Sequence, residues 1–205
     1  PAPPRVRPER HSPAPIATLR RHLGVALMRR LPRCPCCLRA CEPPPTTCPA
    51  GGTLIPILST NFEANDAGFT HSGTGDQWAR GTPANAPITT CNSGTNCWKT
   101  NLAGAYGANS TQDLRSAAIN LAGAAAPVRL SWAMKYQMDT ASNDHAWVQI
   151  QEVGGANPRR LFEFRDGVVT DTVGGGTALA MSAGWGVHTA DVSSYVGRNV
   201  ELVFH

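Results

Sequence analysis

An alternation of apolar and polar residues, broken only by Ala133, runs through VRLSWAMKYQM, residues 128–138, and limits this stretch to one kind of structure. Six apolar side chains share one face: Val128, Leu130, Trp132, Met134, Tyr136 and Met138. A helix would scatter this set around its axis, because helical side chains repeat every 3.6 residues and strand side chains every two. The alternation therefore predicts an antiparallel strand with one buried face, and it predicts that the Trp132 stripe is core.

Shorter runs of the same kind follow along the chain. In AWVQIQEV, residues 146–153, Trp147, Gln149 and Gln151 alternate with Val148 and Ile150. The intervening stretch DTASND has turn chemistry, which predicts that the two runs form a hairpin. Further strands are predicted within residues 54–63, 97–102, 116–121, 159–167, 185–192 and 199–205.

The strand signals recur every 10–20 residues after residue 50, with Gly, Asn, Pro or Ser between them. No amphipathic helical pattern interrupts them. A body of this size is large enough to bury one sizeable core. The pattern predicts an all-β fold, an antiparallel β-sandwich or jelly roll. No run of about 20 apolar residues, the length of a membrane span, is present.

The first fifty residues differ in composition from the rest. They contain nine Arg, two acidic residues, twelve of the 17 prolines and five of the seven cysteines. Residues 51–205 contain nine Lys and Arg against twelve Asp and Glu, so they carry a net charge of −3. This mildly acidic body gives no electrostatic reason to bind nucleic acid. Residues 1–50 are predicted to be a disordered tail or linker, and residues 51–205 a β-sandwich module.

Two sharper interpretations of the first fifty residues stay open. Residues 16–31 fit a short basic amphipathic helix that would lie on a membrane surface. A cysteine cluster follows, formed by Cys34, Cys36, Cys37, Cys41 and Cys48. Zinc sites usually pair C-x-x-C with a second pair further along, and this spacing has none. A linker, or a GC-rich coding strand translated in the wrong frame, explains the mixture of Arg, Pro, Ala and Cys better.

The stretch CNSGTNCW places Cys91 and Cys97 on either side of a small polar loop. In a β protein rich in small residues, this arrangement predicts a disulfide, with two free thiols as the alternative. A redox-active pair would normally be C-x-x-C. A disulfide that closes a loop this short stabilises the fold by about 2 kcal/mol, because it reduces the chain entropy of the unfolded state. Because reducing compartments do not keep such bonds, the chain is predicted to be secreted or cell-surface.

Five ordered segments carry a family resemblance: NFEANDAGFTHSGTGDQWARGTP, CWKTNLAGAYGANSTQDLRSAAINLAG, VRLSWAMKYQM, SNDHAWVQIQEVGG and GWGVHTADVSSYVGRNVELVFH. Their order and spacing resemble the MAM-like jelly-roll module of bacterial secreted proteins, as in the C-terminal region of immune-inhibitor-A-type metallopeptidases. The matching positions are Phe62, Glu63, Gly68, Phe69, Trp78, Gly81, Pro83, Trp98, Thr100, Asn101, Leu102, Gly104, Tyr106, Leu114, Ser116, Ile119, Leu121, Trp185, Asp191, Ser193, Tyr195 and Gly197.

The resemblance covers roughly residues 60–205 and has two implications. Modules of this type often hold a structural calcium ion, and the resemblance makes Glu63 the best ligand candidate, assisted by Asn65 and Asp66. An ordinary exposed turn is the alternative for these three residues. The family pattern also continues beyond the strand that ends at His205, so the module is expected to lack its closing strand.

The sequence contains no H-E-x-x-H, G-x-S-x-G or phosphate-binding loop. His145 follows Asp144 in the predicted hairpin turn and is interpreted as a solvated turn residue. Asp191, in ADVSSY, is expected to bond the backbone amides of its own turn. The body is therefore interpreted as non-catalytic.

Exposed aromatic side chains are the natural contacts for a sugar ring or a protein surface. The sequence leaves the facing of Trp78, Trp147 and Trp185 open, and core or inter-strand packing is the favoured interpretation of each. Trp147 becomes the leading contact residue if it lies on the polar face of its strand beside Gln149 and Gln151. The sequence thus predicts a non-catalytic extracellular accessory module that binds carbohydrate or protein, or spaces the domains of a secreted multidomain protein. The alternative is the C-terminal accessory domain of a secreted zinc metallopeptidase. No cofactor beyond calcium, no nucleic acid and no membrane span are expected.

Overall fold

The computed structural model describes residues 25–29, 55–139, 144–165, 168–171, 175–177 and 182–205. In chain order the strands are β1 (Val25–Arg29), β2 (Ile55–Thr60), β3 (Thr70–Thr74), β4 (Trp78–Gly81), β5 (Cys97–Thr100), β6 (Thr111–Arg115), β7 (Ile119–Asn120), β8 (Arg129–Met134), β9 (His145–Glu152), β10 (Arg159–Arg165), β11 (Val168–Asp171), β12 (Gly175–Thr177), β13 (Gly186–Asp191) and β14 (Asn199–Phe204). A short 3₁₀ turn, Ser193–Tyr195, precedes β14.

Two antiparallel sheets face each other. The small sheet has the order β13-β8-β1-β2, and the large sheet has the order β12-β11-β10-β9-β14-β6-β3, with β7 paired to β14. A separate two-stranded ribbon joins β4 to β5. The prediction of an all-β antiparallel sandwich is confirmed. No helix among the described residues has the length and apolar character that crossing a membrane requires.

The core lies between the inner faces of the two sheets. Its largest fully buried side chains are Trp132, Phe162, Phe164, Leu121, Leu130, Ile150, Leu161, Leu202, Val128, Val148 and Val192. Trp132 comes from the small sheet and is 1 % exposed, while Ile150 comes from the large sheet and is 0 % exposed. The predicted core stripe is confirmed, since Tyr136 is buried as well and both Met134 and Met138 pack against the cluster.

The predicted hairpin between residues 128–138 and 146–153 is wrong. β8 pairs with β1 and β13 in the small sheet, whereas β9 pairs with β10 and β14 in the large sheet. Each strand has one apolar face, and the two faces bury each other from opposite sides of the core. The connection therefore crosses from one sheet to the other instead of turning back within one.

The small sheet includes a strand from the first fifty residues. β1 lies between β2 and β8, pairing Val25 with Thr60 on one side and Leu27 with Leu130 on the other. For these five residues neither the predicted disorder nor the helix over residues 16–31 holds, because their backbone is extended and paired. The cysteine cluster from Cys34 to Cys48 lies outside the described residues.

Candidate binding face

The outer face of the large sheet carries the polar side chains that alternate with the core residues. On β9, Val148 and Ile150 point into the core, so Trp147, Gln149 and Gln151 point away from it. Directly opposite residues of neighbouring strands share a face, which adds the outer residues of the flanking strands. We call this surface the outer face; it comprises Asp113, Arg115, His145, Trp147, Gln149, Gln151, Arg160, Glu163, Arg165, Glu201, Val203 and His205.

Trp147 lies at the centre of the outer face between two other planar groups. The His205 imidazole stacks on its indole with 3.6 Å between ring centroids and 6° between planes. The Arg160 guanidinium carbon lies 3.7 Å from the same ring centroid. Two groups this close to one centroid would collide on the same side, so they cover opposite faces of the indole. Burial lowers the pKa of Arg160, and the nearby carboxylates of Glu163 and Asp113 oppose that shift.

A chain of hydrogen bonds continues from this stack across three strands. His205 Nδ1 lies 2.6 Å from Asp113 Oδ1, and Arg115 donates to Asp113 over 2.7 Å and to Glu201 over 3.1 Å. Gln151 also donates to Glu201, and Gln149 donates to Gln151, over 2.5 Å and 2.6 Å. Gln151 is only 6 % exposed. The polar groups of the outer face are therefore fixed in position by one another.

His145 flanks the same indole at the edge of this surface. Its Nε2 lies 2.8 Å from Glu163 Oε1, and its ring centroid lies 4.6 Å from that of Trp147. The interpretation of His145 as a turn residue is wrong, because it is the first residue of β9 and pairs with Arg165 across the sheet. The exposed imidazole extends the polar row of β9 by one position.

Most of this site was not visible in the sequence. The alternation correctly put Trp147 beside Gln149 on the polar face of its strand. Its stacking partners were missed, since Arg160 lies on β10 and His205 directly follows β14. Only the outward register of those strands, with polar residues between buried ones, could have signalled them.

The predicted calcium ligand Glu63 is engaged by the disulfide loop. Its carboxylate accepts hydrogen bonds from Thr95 N at 3.0 Å, Thr95 Oγ1 at 3.1 Å, Asn96 N at 2.8 Å and Asn96 Nδ2 at 3.3 Å. Gly94 is required beside this contact, because a Cβ there would lie 2.3 Å from Glu63 Oε1 and its φ is +63°. We call these contacts the Glu63 latch, since they tie the chain after β2 to the loop before β5.

Asn65 and Asp66 do not join Glu63 in one ligand cluster. Asn65 Oδ1 accepts from Ala67 N at 2.8 Å and Asp66 Oδ1 from Gly68 N at 3.3 Å, which are bonds within their own turn. Among the described residues, no three or more His, Cys, Asp or Glu side chains are grouped to hold a metal ion. Calcium binding at Glu63 stays a prediction, and melting curves of the full chain in calcium and then in EGTA test it: identical midpoints would remove it.

The Glu63 latch is expected to weaken in acid. The backbone amide of Asn96 is the largest cause that lowers the pKa of Glu63 below its ordinary value of 4.5, with the side chain and amide of Thr95 assisting. A carboxylate with a lowered folded-state pKa contributes stability that is complete above the unfolded-state pKa and is lost as the pH falls through the folded one. We expect Glu63→Gln to reduce the loss of melting temperature on acidification below pH 4.5, measured by circular dichroism. Equal acid profiles for both proteins would contradict the latch.

The predicted disulfide is present. Cys91 and Cys97 are bonded, with Cα atoms 5.7 Å apart. The segment just before this loop is held by two further hydrogen bonds: Trp185 Nε1 donates to Thr90 O over 3.0 Å, and Lys135 Nζ donates to Pro87 O over 2.8 Å. Trp185 itself is half-buried.

Asp191 also has its predicted role, since its Oδ1 accepts from Ser193 N at 2.8 Å in the turn before β14. Trp78 lies half-buried in the β4–β5 ribbon, and its Nε1 is buried without a hydrogen-bond partner. Neither residue contributes to the outer face.

A second polar cluster surrounds Tyr106. Its hydroxyl donates to Asp144 and accepts from Asp139 N at 3.1 Å. Burial first, and then Asp144, raise the pKa of Tyr106 to about 12 from an ordinary value of 10.0. Through Tyr106, the cluster joins the residues on both sides of the segment that crosses between the two sheets.

The contribution of Tyr106 to stability should be lost at alkaline pH. A group whose folded-state pKa is raised contributes stability that is complete below its unfolded-state pKa and is lost as the pH rises through the folded one. For Tyr106 that window runs from pH 10 to about 12. We expect wild type to lose more stability than Tyr106→Phe across this window, measured by urea unfolding at fixed pH values. Parallel losses in both proteins would rule out the contribution of Tyr106.

Comparisons with known proteins supply no relative. No family model, no curated protein and no solved structure matches this chain.

Proposed function

We propose that this chain is a non-catalytic accessory module of a secreted multidomain protein, and that it binds an extracellular ligand, carbohydrate or protein, on its outer face. The main observation that supports this proposal is the network of mutually hydrogen-bonded polar side chains around Trp147. Side chains that are already ordered lose little conformational entropy when a ligand contacts them, so they make an efficient binding surface. The MAM-like resemblance belongs to the same proposal.

The extracellular location rests on the Cys91–Cys97 disulfide. The two cysteines are held by the fold at bonding distance, and structural disulfides persist mainly in oxidising compartments. The proposal of a non-catalytic module rests on the sequence, which contains no H-E-x-x-H, G-x-S-x-G or phosphate-binding loop.

Affinity electrophoresis and surface capture test the proposal. The full chain is run through gels containing soluble mixed-linkage β-glucan, arabinoxylan or galactomannan, and it is passed over immobilised fibronectin and collagen. We expect retardation or capture by at least one probe, and its loss in Gln149→Lys, which projects a charged chain from the centre of the outer face.

Val187→Lys is the matched control. Val187 lies on β13 of the small sheet and is 50 % exposed, so the same new side chain is placed away from the outer face. We expect this variant to bind as wild type does. Binding that Val187→Lys abolishes and Gln149→Lys preserves would place the ligand elsewhere and overturn the proposal, as would failure to bind every probe.

A further inference from the structure

Within the proposed function, on which this step rests, we infer that the ligand is an uncharged polysaccharide that contacts the rim of the Trp147 indole, not its ring faces. Three properties of the outer face lead to this inference: its charge balance, the position of its unused hydrogen-bonding groups, and the covering of the indole.

The charges of the outer face cancel. Arg115, Arg160 and Arg165 oppose Asp113, Glu163 and Glu201. The acids are already engaged: Asp113 and Glu201 by Arg115, and Glu163 by His145. A polyanion needs uncompensated positive charge and a polycation needs uncompensated negative charge. This surface offers neither, so its charges favour a neutral ligand.

Three unused hydrogen-bonding groups lie in a row along β9, while Arg160 Nη1 on β10 also has no partner in the described part of the chain but is buried. Among the described residues, no partner is found for His145 Nδ1, for Trp147 Nε1 or for Gln149 Oε1. The three residues alternate on one face, so the row from the first to the last spans about 13 Å. The row offers both donors and acceptors, and a ligand hydroxyl can form a hydrogen bond with either kind of group. A row of this length fits a chain of hydroxyl-bearing units better than a single sugar.

The indole itself offers a ligand only its rim. Both ring faces of Trp147 are covered, by His205 at 3.6 Å and by Arg160 at 3.7 Å. Face-to-face stacking of a sugar on this ring would first require one of these groups to move. The half-buried rim carries the Nε1–H donor, and the two covering groups hold that donor at a fixed angle. Trp147 is therefore assigned a directional hydrogen bond to a ligand hydroxyl.

The inference is tested by replacing Trp147 with phenylalanine. Trp147→Phe keeps a ring between Arg160 and His205 and removes the Nε1–H donor. Losing one hydrogen bond of ordinary strength should raise the Kd for mixed-linkage β-glucan, arabinoxylan or galactomannan about fivefold. Trp185→Phe is the matched control, because it makes the same replacement at an indole bonded to Thr90 O, away from the outer face. Its Kd is expected to equal that of wild type.

Heparin and polygalacturonate serve as charged comparators, and fibronectin as the protein comparator. We expect the neutral polysaccharides to bind and the charged ones not to. Capture by fibronectin alone, or retardation by heparin or polygalacturonate alone, with sensitivity to Gln149→Lys, would overturn the neutral polysaccharide and leave the proposed function standing. Binding of a neutral polysaccharide with equal Kd for wild type and Trp147→Phe would overturn the rim contact. No binding by any probe would end both proposals.

Discussion

Replacing Trp132 with alanine is expected to lower the free energy of unfolding by about 3–5 kcal/mol. The side chain is 1 % exposed and lies where β8 meets the inner face of the large sheet. Its ring stacks on His188 with 5.2 Å between centroids. The surrounding side chains come from both sheets, so they cannot close the space without moving the sheets together. Urea unfolding followed by far-ultraviolet circular dichroism measures the loss.

Trp132→Phe is the informative control for this prediction. The Trp132 Nε1 is buried without a hydrogen-bond partner, so phenylalanine removes an unfavourable group as well as some volume. We expect this variant to lose less than half as much stability as Trp132→Ala. Val187→Ala, at a residue 50 % exposed, should stay within about 0.5 kcal/mol of wild type. A Trp132→Ala protein as stable as Val187→Ala would mean that the two sheets do not bury this residue.

The long strands β8, β9, β10 and β14, which the sequence predicted, have inner faces that meet the core. β8 and β9 alternate so regularly because one face of each excludes water and the other contacts it. β14 follows the same rule with Val200 and Leu202 inside and Glu201 outside. In such strands every second residue is buried and must be apolar, so the sequence shows a period of two. This is why the sandwich could be predicted.

β3, one of the strands that the sequence did not predict, lacks this constraint, whereas β6 was not predicted although its buried residues Gln112 and Leu114 do alternate with more exposed ones. All five residues of β3, Thr70–Thr74, are exposed, so nothing selects an apolar face there, and its backbone pairs with β6 to form the edge of the large sheet. The sequence also could not predict which strands pair with each other. Alternation shows that β8 and β9 each have one buried face, but a hairpin within one sheet and a crossing between two sheets satisfy that requirement equally well.

The candidate site divides in the same way. The polar face of β9 follows from alternation, and the disulfide follows from the spacing of its cysteines. The covering of Trp147 does not, because Arg160 and His205, which cover its ring faces, lie 13 and 58 residues away along the chain. Glu63 shows the same limit: its partners Thr95 and Asn96 lie 32 and 33 residues on, and nothing local distinguishes a latch from a metal ligand.

The second large effect is expected from the disulfide. Replacing both Cys91 and Cys97 with serine should lower the free energy of unfolding by about 2 kcal/mol, because an uncrosslinked loop of this length gains that much chain entropy on unfolding. The Glu63 latch should weaken with it, since Thr95 and Asn96 lie inside the loop that the bond closes. Urea unfolding of the two proteins without reductant measures the difference.

Combining the serine pair with Glu63→Gln distinguishes a coupled structure from two separate ones. If the disulfide holds Thr95 and Asn96 against the carboxylate, Glu63→Gln should cost less stability in the serine variant than in wild type, because the latch is already loosened. Strictly additive losses would show that the latch forms without the bond. Unfolding wild type in dithiothreitol should reproduce the serine variant, and the cysteines at positions 34–48 are controlled by adding the same reductant to the serine variant itself. A further shift there would assign part of the redox effect to those thiols and only the remainder to Cys91–Cys97.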